Sequence, residues 1–183
     1  MREDFKGYWN SLYRDIPAYV YEGLLVVLLL VAFFICFWYG WRKGWRIILR
    51  VLTIEYVFLI CCSTVIFRHV GKHMQFDLMP LWSYGAYFRG EDPRLLPENI
   101  MNVVVFIPAG LLLGAAFRSM TWMKVLGIGC GLSVGIELSQ LIFKRGFCEL
   151  DDVMHNTLGC MIGYGVYRLV YMCVNSKKKR IYG

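Results

Sequence analysis

Five apolar stretches of about twenty residues each occur along this chain of 183 residues. A helix of that length crosses the roughly 30 Å hydrocarbon core of a bilayer at about 1.5 Å per residue. Of all residues, 58% are hydrophobic and only 18% are charged, whereas soluble domains have about 45–50% and about 25%. One small soluble core cannot bury this excess. The sequence therefore predicts an all-α integral membrane protein, a bundle of about five transmembrane helices.

The apolar stretches divide the chain into four parts. An aromatic and charged segment, 1–17, is expected at the membrane interface. Two transmembrane helices follow within 18–67, with spans at 18–41 and 45–67. Residues 68–174 hold an outer loop (68–98), interpreted as an irregular, aromatic lid, and three more spans at 99–117, 122–143 and 151–174. Residues 175–183 form a basic tail, which we predict to be cytoplasmic and disordered.

The charged residues and cysteines exclude several classes of protein. The net charge of +7 comes from basic residues that flank the apolar stretches, which is typical of membrane topology signals, so we expect no nucleic-acid partner. Six of the seven cysteines lie inside apolar stretches, and no Cys or His spacing resembles a metal or disulfide framework. We expect no metal and no cofactor.

The short connections between spans favour one orientation. If the C-terminus is inside, basic residues flank span ends on the inner side, where the positive-inside rule applies best. A Lys-rich run at 177–180 also suits an anionic inner leaflet. Total Lys and Arg counts on the two sides are nearly equal, so these two features decide. We predict an N-terminus outside and a C-terminus inside.

Polar residues collect at the outer ends of the last three spans. On the fourth span Glu137 and Gln140 share a face, and on the fifth Asp152 and Asn156 do so. Ionisable residues inside spans are costly and usually functional. We expect a polar pocket open to the outer leaflet, with these ligand-binding residues: Asn102, Glu137, Gln140, Arg145, Asp152 and Asn156.

Ordinary structural roles compete with this interpretation. Asp151, Asp152 and Asn99 are well placed as helix caps, and Gln140 and Asn156 as hydrogen-bonding contacts between helices. Glu137 is harder to explain in this way, because it has no basic neighbour on its own helix, and we expect Arg145 as its partner. Glu55, in the second span, cannot be placed relative to the pocket.

Three stretches together carry a resemblance to a known family. They are FDLMPLW (76–82), ENIMNVVVFIPAGLLLG (98–114) and SVGIELSQLIFKRGFCELDDVMHNTLGCMIGYG (133–165). In order and spacing they resemble the VanZ-like integral membrane proteins of bacteria. Cys160 replaces the second glycine that is common in the family, and Glu149 stands where an aspartate is frequent. Residues 68–174 would form the VanZ-like domain.

The resemblance implies a multi-pass protein of the bacterial cytoplasmic membrane, with a role in the cell envelope and in low-level resistance to teicoplanin, a lipid-bearing glycopeptide. The leading hypothesis is a non-enzymatic protein that binds an amphiphile at the outer leaflet: a membrane lipid, a lipoglycopeptide or a lipid-linked cell-wall precursor. One alternative is a membrane enzyme acting on such a precursor, with Glu137 as acid or base and Asp152 orienting it. Another is a small transporter or flippase, for which we expect a homo-oligomer.

Overall fold

The computed structural model describes residues 27, 31, 34, 41–68 and 70–182. Five α-helices and two short strands lie in the continuous parts, in this order: α1 (Trp41–Cys61), a π-helical turn (Cys62–Ile66), β1 (Gln75–Asp77), α2 (Trp82–Phe88), α3 (Leu95–Ala116), α4 (Trp122–Phe143), β2 (Phe147–Glu149) and α5 (Leu150–Tyr182). Four helices, α1 with its π-helical turn, α3, α4 and α5, are long and apolar enough to cross a membrane. The predicted class, a helical membrane protein, is confirmed.

Two predicted segments lie outside the described residues. They are the interfacial segment 1–17 and the first span, 18–41, of which Val27, Val31 and Phe34 are described as helical, and Trp41 begins α1. At the other end of the chain the structure differs from the prediction. Residues 175–182 are not disordered but continue α5. Neither Gly nor Pro occurs between Gly165 and Gly183, so no helix-breaking residue ends α5 earlier.

Helices α3 and α5 pack so closely that their backbones touch. A Cβ atom added to Gly163 would lie 1.9 Å from the Ile107 carbonyl oxygen, and one on Gly159 would lie 2.2 Å from the Val103 carbonyl oxygen. On the other helix, a Cβ on Gly110 would lie 1.9 Å from the Cys160 carbonyl oxygen. Small residues at such positions allow membrane helices to associate closely. This helix pair forms the centre of the bundle.

Aromatic and aliphatic side chains fill the space around this pair. Phe106, Val125 and Tyr164 are almost fully buried in one apolar cluster. The Tyr164 hydroxyl donates to the Met120 carbonyl at 2.8 Å, which satisfies its polar atom at the end of the bundle where α3 stops. Tyr56 of α1 donates to the Val105 carbonyl of α3 at 2.8 Å. These contacts attach α1 and the α3–α4 turn to the centre.

The outer loop has regular structure that its sequence did not indicate. β1 pairs in parallel with β2, with Gln75 opposite Phe147 and Asp77 opposite Glu149. A seven-residue helix, α2, follows Leu81, which takes a left-handed conformation with φ 61°. The loop is therefore fixed to the α4–α5 connection and lies over the helix ends that hold the predicted polar residues. Its strand pairs with a segment far along the chain, so no local pattern could indicate it.

Candidate functional site

A tight reversal of the chain joins α4 to α5. Lys144 ends α4 with φ 55°, and Gly146 follows with φ 150°, a conformation that glycine adopts without a steric penalty. A Cβ atom on Gly146 would also lie 2.5 Å from Arg68 Nη1 and 3.1 Å from Gln140 Oε1. Glycine is therefore required here for backbone conformation and for space. The reversal brings the outer ends of α4 and α5 together.

Asp151 fastens the outer loop to the start of α5. One carboxylate oxygen accepts the backbone N–H of Leu81 at 2.5 Å, and the other accepts the backbone N–H of Ser83 at 3.1 Å and its hydroxyl. Asn99 of α3 donates to the same hydroxyl at 2.9 Å. Asp151 is fully buried, so these bonds compensate the burial of its charge. Its role is structural, and it joins α2, α3 and α5.

Two of the predicted ligand-binding residues contact the π-helical turn that continues α1. Gln140 donates to the Thr64 carbonyl at 3.0 Å. Arg145 donates to the carbonyls of Val65 and Ile66. The last carbonyls of a helix have no partner within it and carry partial negative charge, which a cation stabilises. The expectation that Arg145 pairs with Glu137 is therefore wrong, because the α4–α5 reversal turns the guanidinium towards α1.

The other acidic residues converge on one place, which we call the acidic cluster: Glu98, Glu137, Glu149 and Asp152. Glu137, only 3% exposed, accepts the backbone N–H of Glu149 at 3.0 Å. Asp152 accepts the side-chain amide of Asn102 at 2.6 Å. Glu137 and Asp152 interact electrostatically with each other, and Glu98 and Glu149 add like charge. The structure thus brings Asn102, Glu137 and Asp152 together from three helices.

Arg68 is a cation close to the acidic cluster, and it was not among the predicted site residues. It follows the π-helical turn and interacts electrostatically with Glu98, Glu137 and Asp152. No described carboxylate lies within salt-bridge distance of it, and its side chain is exposed. The signal in the sequence was its position, since it is the first charged residue after the second predicted span. Arg68 therefore neutralises only part of the negative charge of the acidic cluster.

Glu149 belongs to β2, between α4 and α5, and its carboxyl is affected by burial and by the neighbouring acids. Burial and then the neighbouring Asp152 raise the pKa of its carboxyl from about 4.5 to about 7. The indole N–H of Trp82 lies near this carboxyl and opposes the rise, although it makes no hydrogen bond of normal geometry. Acidic neighbours also raise the pKa of the Cys148 thiol, after the larger effect of burial. The neighbouring acidic groups at this site therefore favour the binding of protons or cations.

Asn156 and His155 lie one turn further along α5. The Asn156 amide donates to the Ser133 hydroxyl of α4 at 2.8 Å, which bears out its interpretation as a contact between helices. His155 Nε2 shares a hydrogen bond of 2.8 Å with the Tyr84 hydroxyl. Tyr84 belongs to α2, so His155 gives the outer loop a second attachment to α5. Ser83, Tyr84 and Ser133 carried no signal in the sequence, because single hydroxyl residues are common in any helix.

Two further features of the described residues bear on the predictions. Glu55 is half-buried on α1, eleven positions before the end of the π-helical turn. Within the described part of the chain, no group of three His, Cys, Asp or Glu side chains is arranged to hold a metal ion.

The fold and the site define a class, a multi-pass helical membrane protein with a charged cluster at one end of its bundle. The chain belongs to the VanZ/LLP1 family, whose family model matches residues 24–171. It is similar to "Protein VanZ" of Enterococcus faecium, with 37% identity over 109 residues, which cover 57% of this chain and 68% of that protein. No solved structure matches the chain. The predicted family is confirmed, and the match also includes most of the first two predicted spans.

Proposed function

We propose that this protein binds the polar headgroup of an amphiphile at the outer leaflet of the bacterial cytoplasmic membrane, and that it thereby contributes to resistance against teicoplanin-type antibiotics. The acidic cluster with Asn102 and Arg68 would bind the headgroup. The single observation that carries the proposal is the convergence of Glu137, Asp152 and Asn102 at one end of the bundle. Charged groups kept beside the hydrocarbon layer are costly and are usually functional.

The charge distribution supports the proposed orientation. Arg118 lies on the α3–α4 connection and Lys124 in the first turn of α4, and Arg50 of α1 lies over the ring of Phe117, 5.5 Å from its centroid. These basic residues are at the end of the bundle opposite the acidic cluster. Basic residues in short connections favour the cytoplasmic side. The acidic cluster would then face the outer leaflet.

Exposed apolar side chains on the outer loop support contact with acyl chains. Phe76 of β1 is 63% exposed, and Leu78 and Met79 after it are 62% and 68% exposed. Neighbouring exposed apolar residues mark interaction surfaces. They lie on the segment that β1 and Asp151 hold over the helix ends. In our proposal an amphiphile places its headgroup at the acidic cluster and its acyl chain along this surface.

Resistance would follow from competition for the lipid anchor of the drug. A lipoglycopeptide that enters the site would have its acyl chain held by the protein rather than by the bilayer near its target. A glycopeptide without an acyl chain would not gain the same contacts. We therefore expect protection against teicoplanin and little protection against vancomycin.

Drug susceptibility of strains expressing variants tests this proposal. Glu137→Gln keeps an acceptor oxygen for the Glu149 N–H and removes the charge, so the fold is preserved and headgroup binding is weakened. Glu91→Gln is the matched control, because Glu91 is exposed and pairs with Arg89 on the surface. We expect protection from the wild type and the control, and none from Glu137→Gln at equal membrane levels. Equal protection from all three would exclude the acid from the function.

A second function, an enzyme acting on a lipid-linked precursor, is favoured by one observation. Glu137 and Asp152 are neighbouring carboxyl groups, and Asn102 orients Asp152. Paired carboxyls in a partly buried site can exchange a proton with a substrate. Purified protein incubated with a radiolabelled lipid-linked precursor distinguishes the two functions. A new labelled product that Glu137→Gln fails to form would establish the enzyme.

A further inference from the structure

Buried polar atoms without a partner show what the site lacks. Among the described residues, four buried side-chain atoms have no hydrogen-bond partner: Trp82 Nε1, Gln140 Oε1, His155 Nδ1 and Asn156 Oδ1. Trp82 Nε1 can only donate a hydrogen bond, and the Glu149 carboxylate lies near it. One of the remaining three atoms, Gln140 Oε1, is an acceptor only. Buried acceptors left without a donor are costly, and a ligand that donates can satisfy them.

The position of the Gln140 oxygen is fixed by its other contact. Its amide nitrogen donates to the Thr64 carbonyl, which can only accept, so the amide cannot be turned round. The free oxygen therefore faces Gly146 and Arg68, beside the acidic cluster. Gln140 is 2% exposed and Asn156 is 5% exposed. Gln140 lies one turn of α4 above Glu137, so its oxygen borders the cluster. Asn156 bonds Ser133, one turn of α4 below Glu137, and so lies about two helical turns from Gln140.

Formal charge gives the second, independent observation. Four carboxyl groups form the cluster, and Arg68 interacts with three of them. Arg94 also acts on Glu98, but it already pairs with Asp92. Asp151 adds like charge next to Glu149 and Asp152, although its own oxygens accept three donors. A headgroup with only negative charge would increase the repulsion. A positive group with N–H donors would reduce the repulsion and supply the missing hydrogen bonds.

We propose that the headgroup recognised at the acidic cluster carries a primary ammonium group. This inference rests on the proposed binding function and names the chemistry of its ligand. The ammonium group lies between Glu137 and Asp152 and directs its N–H bonds to their carboxylate oxygens and to the Gln140 oxygen. A quaternary ammonium has the charge but no N–H donor, and a polyol has donors but no charge. Either group meets only half of the requirement.

Three lipids with the same acyl chains separate these requirements. The full chain is purified in detergent with equal amounts of dioleoyl phosphatidylethanolamine, phosphatidylcholine and phosphatidylglycerol, and retained lipid is counted by native mass spectrometry. All three contain one phosphate, so a contribution from Arg68 cancels. Charge-assisted hydrogen bonds are roughly twice as strong as neutral ones, so we expect about tenfold preference for the ethanolamine lipid. Octadecylamine, which has an ammonium group and no phosphate, distinguishes a simple amine from a zwitterionic headgroup as the source.

Variants connect the preference to the cluster. Glu137→Gln with Asp152→Asn keeps acceptor oxygens and removes two charges, and we expect the preference to disappear. Glu98→Gln removes one charge from a half-buried side chain, provides a milder change if the double variant does not fold, and should reduce the preference. Glu91→Gln should leave it unchanged.

The possible results separate this inference from the proposed function. Equal retention of the three lipids, lost in the double variant, overturns the ammonium group and leaves amphiphile binding in place. Stronger retention of phosphatidylglycerol also overturns the ammonium group. Retention of no lipid by the wild type overturns both. Retention of the ethanolamine lipid alone, unaffected in the cluster variants, places recognition elsewhere and overturns the inference.

Discussion

Replacement of Asp151 by asparagine should release the outer loop while the bundle stays folded. The carboxylate accepts the N–H groups of Leu81 and Ser83, one on each oxygen. An asparagine of the same shape has one acceptor oxygen, so one of these donors would face an NH₂ group. A hydrogen bond to a charged group contributes about 1.5–3 kcal/mol, and a buried donor without a partner costs about 1–3 kcal/mol. We expect local opening to become easier by about 2–4 kcal/mol, an increase of about 30- to 1000-fold in the opening constant.

Hydrogen–deuterium exchange of the purified full chain measures this change. Peptides that cover residues 75–88 should exchange faster in Asp151→Asn, and peptides from the centres of α3 and α5 should not. Asp92→Asn is the control, because Asp92 is partly exposed and pairs with Arg94 on the surface. Unchanged exchange at residues 75–88 would refute the role assigned to Asp151. Faster exchange throughout the bundle would show that the loop and the bundle open together.

Two further predictions concern packing and pH. Gly163→Ala places a Cβ atom 1.9 Å from the Ile107 carbonyl oxygen, whereas the Cβ atom of Gly131→Ala meets nothing within 4 Å. We expect Gly163→Ala to lower the free energy of unfolding in detergent by about 1–3 kcal/mol, and Gly131→Ala to maintain or raise it. Equal free energies of unfolding for the two variants would contradict the backbone contact. The pKa of Glu149 is raised from about 4.5 to about 7 in the folded protein, so the folded state holds more protons between these values and its stability falls as pH rises through this window. The melting temperature measured from pH 4.5 to 8 should decline up to about pH 7 and then level off, and Glu149→Gln should weaken this decline.

The sequence predicted the helices well because their signal is local. Apolar length and flanking polar residues located the ends of α4 to within a residue. The end of α5 was predicted too early, because low hydropathy marks the end of a membrane span but not the end of a helix. Membrane-spanning length and helical length are separate properties in this chain.

The site was predicted in part, for a physical reason. Glu137 and Asp152 flank the short connection between the last two predicted spans, so the order of the chain was enough to predict that they lie at the same end of the bundle. The direction of Arg145 and the presence of Arg68 depended on the left-handed conformation at Lys144 and on the π-helical turn, which no periodicity shows. Interactions across long sequence separations, such as β1 with β2, also have no local signature.

The hydrogen bonds of Asp151 have a consequence for the order of biosynthesis. Leu81 and Asp151 are 70 positions apart, and the sequence separation between β1 and its partner strand β2 is similar. A chain emerging from the ribosome can insert α1, α3 and α4 before either partner exists. The segment around Phe76 therefore has no partner until β2 and the start of α5 have been synthesised. Pairing of this region is a late step of folding. In the proposed orientation, a nascent chain truncated before Phe147 should be readily cut at residues 70–90 by a protease added outside.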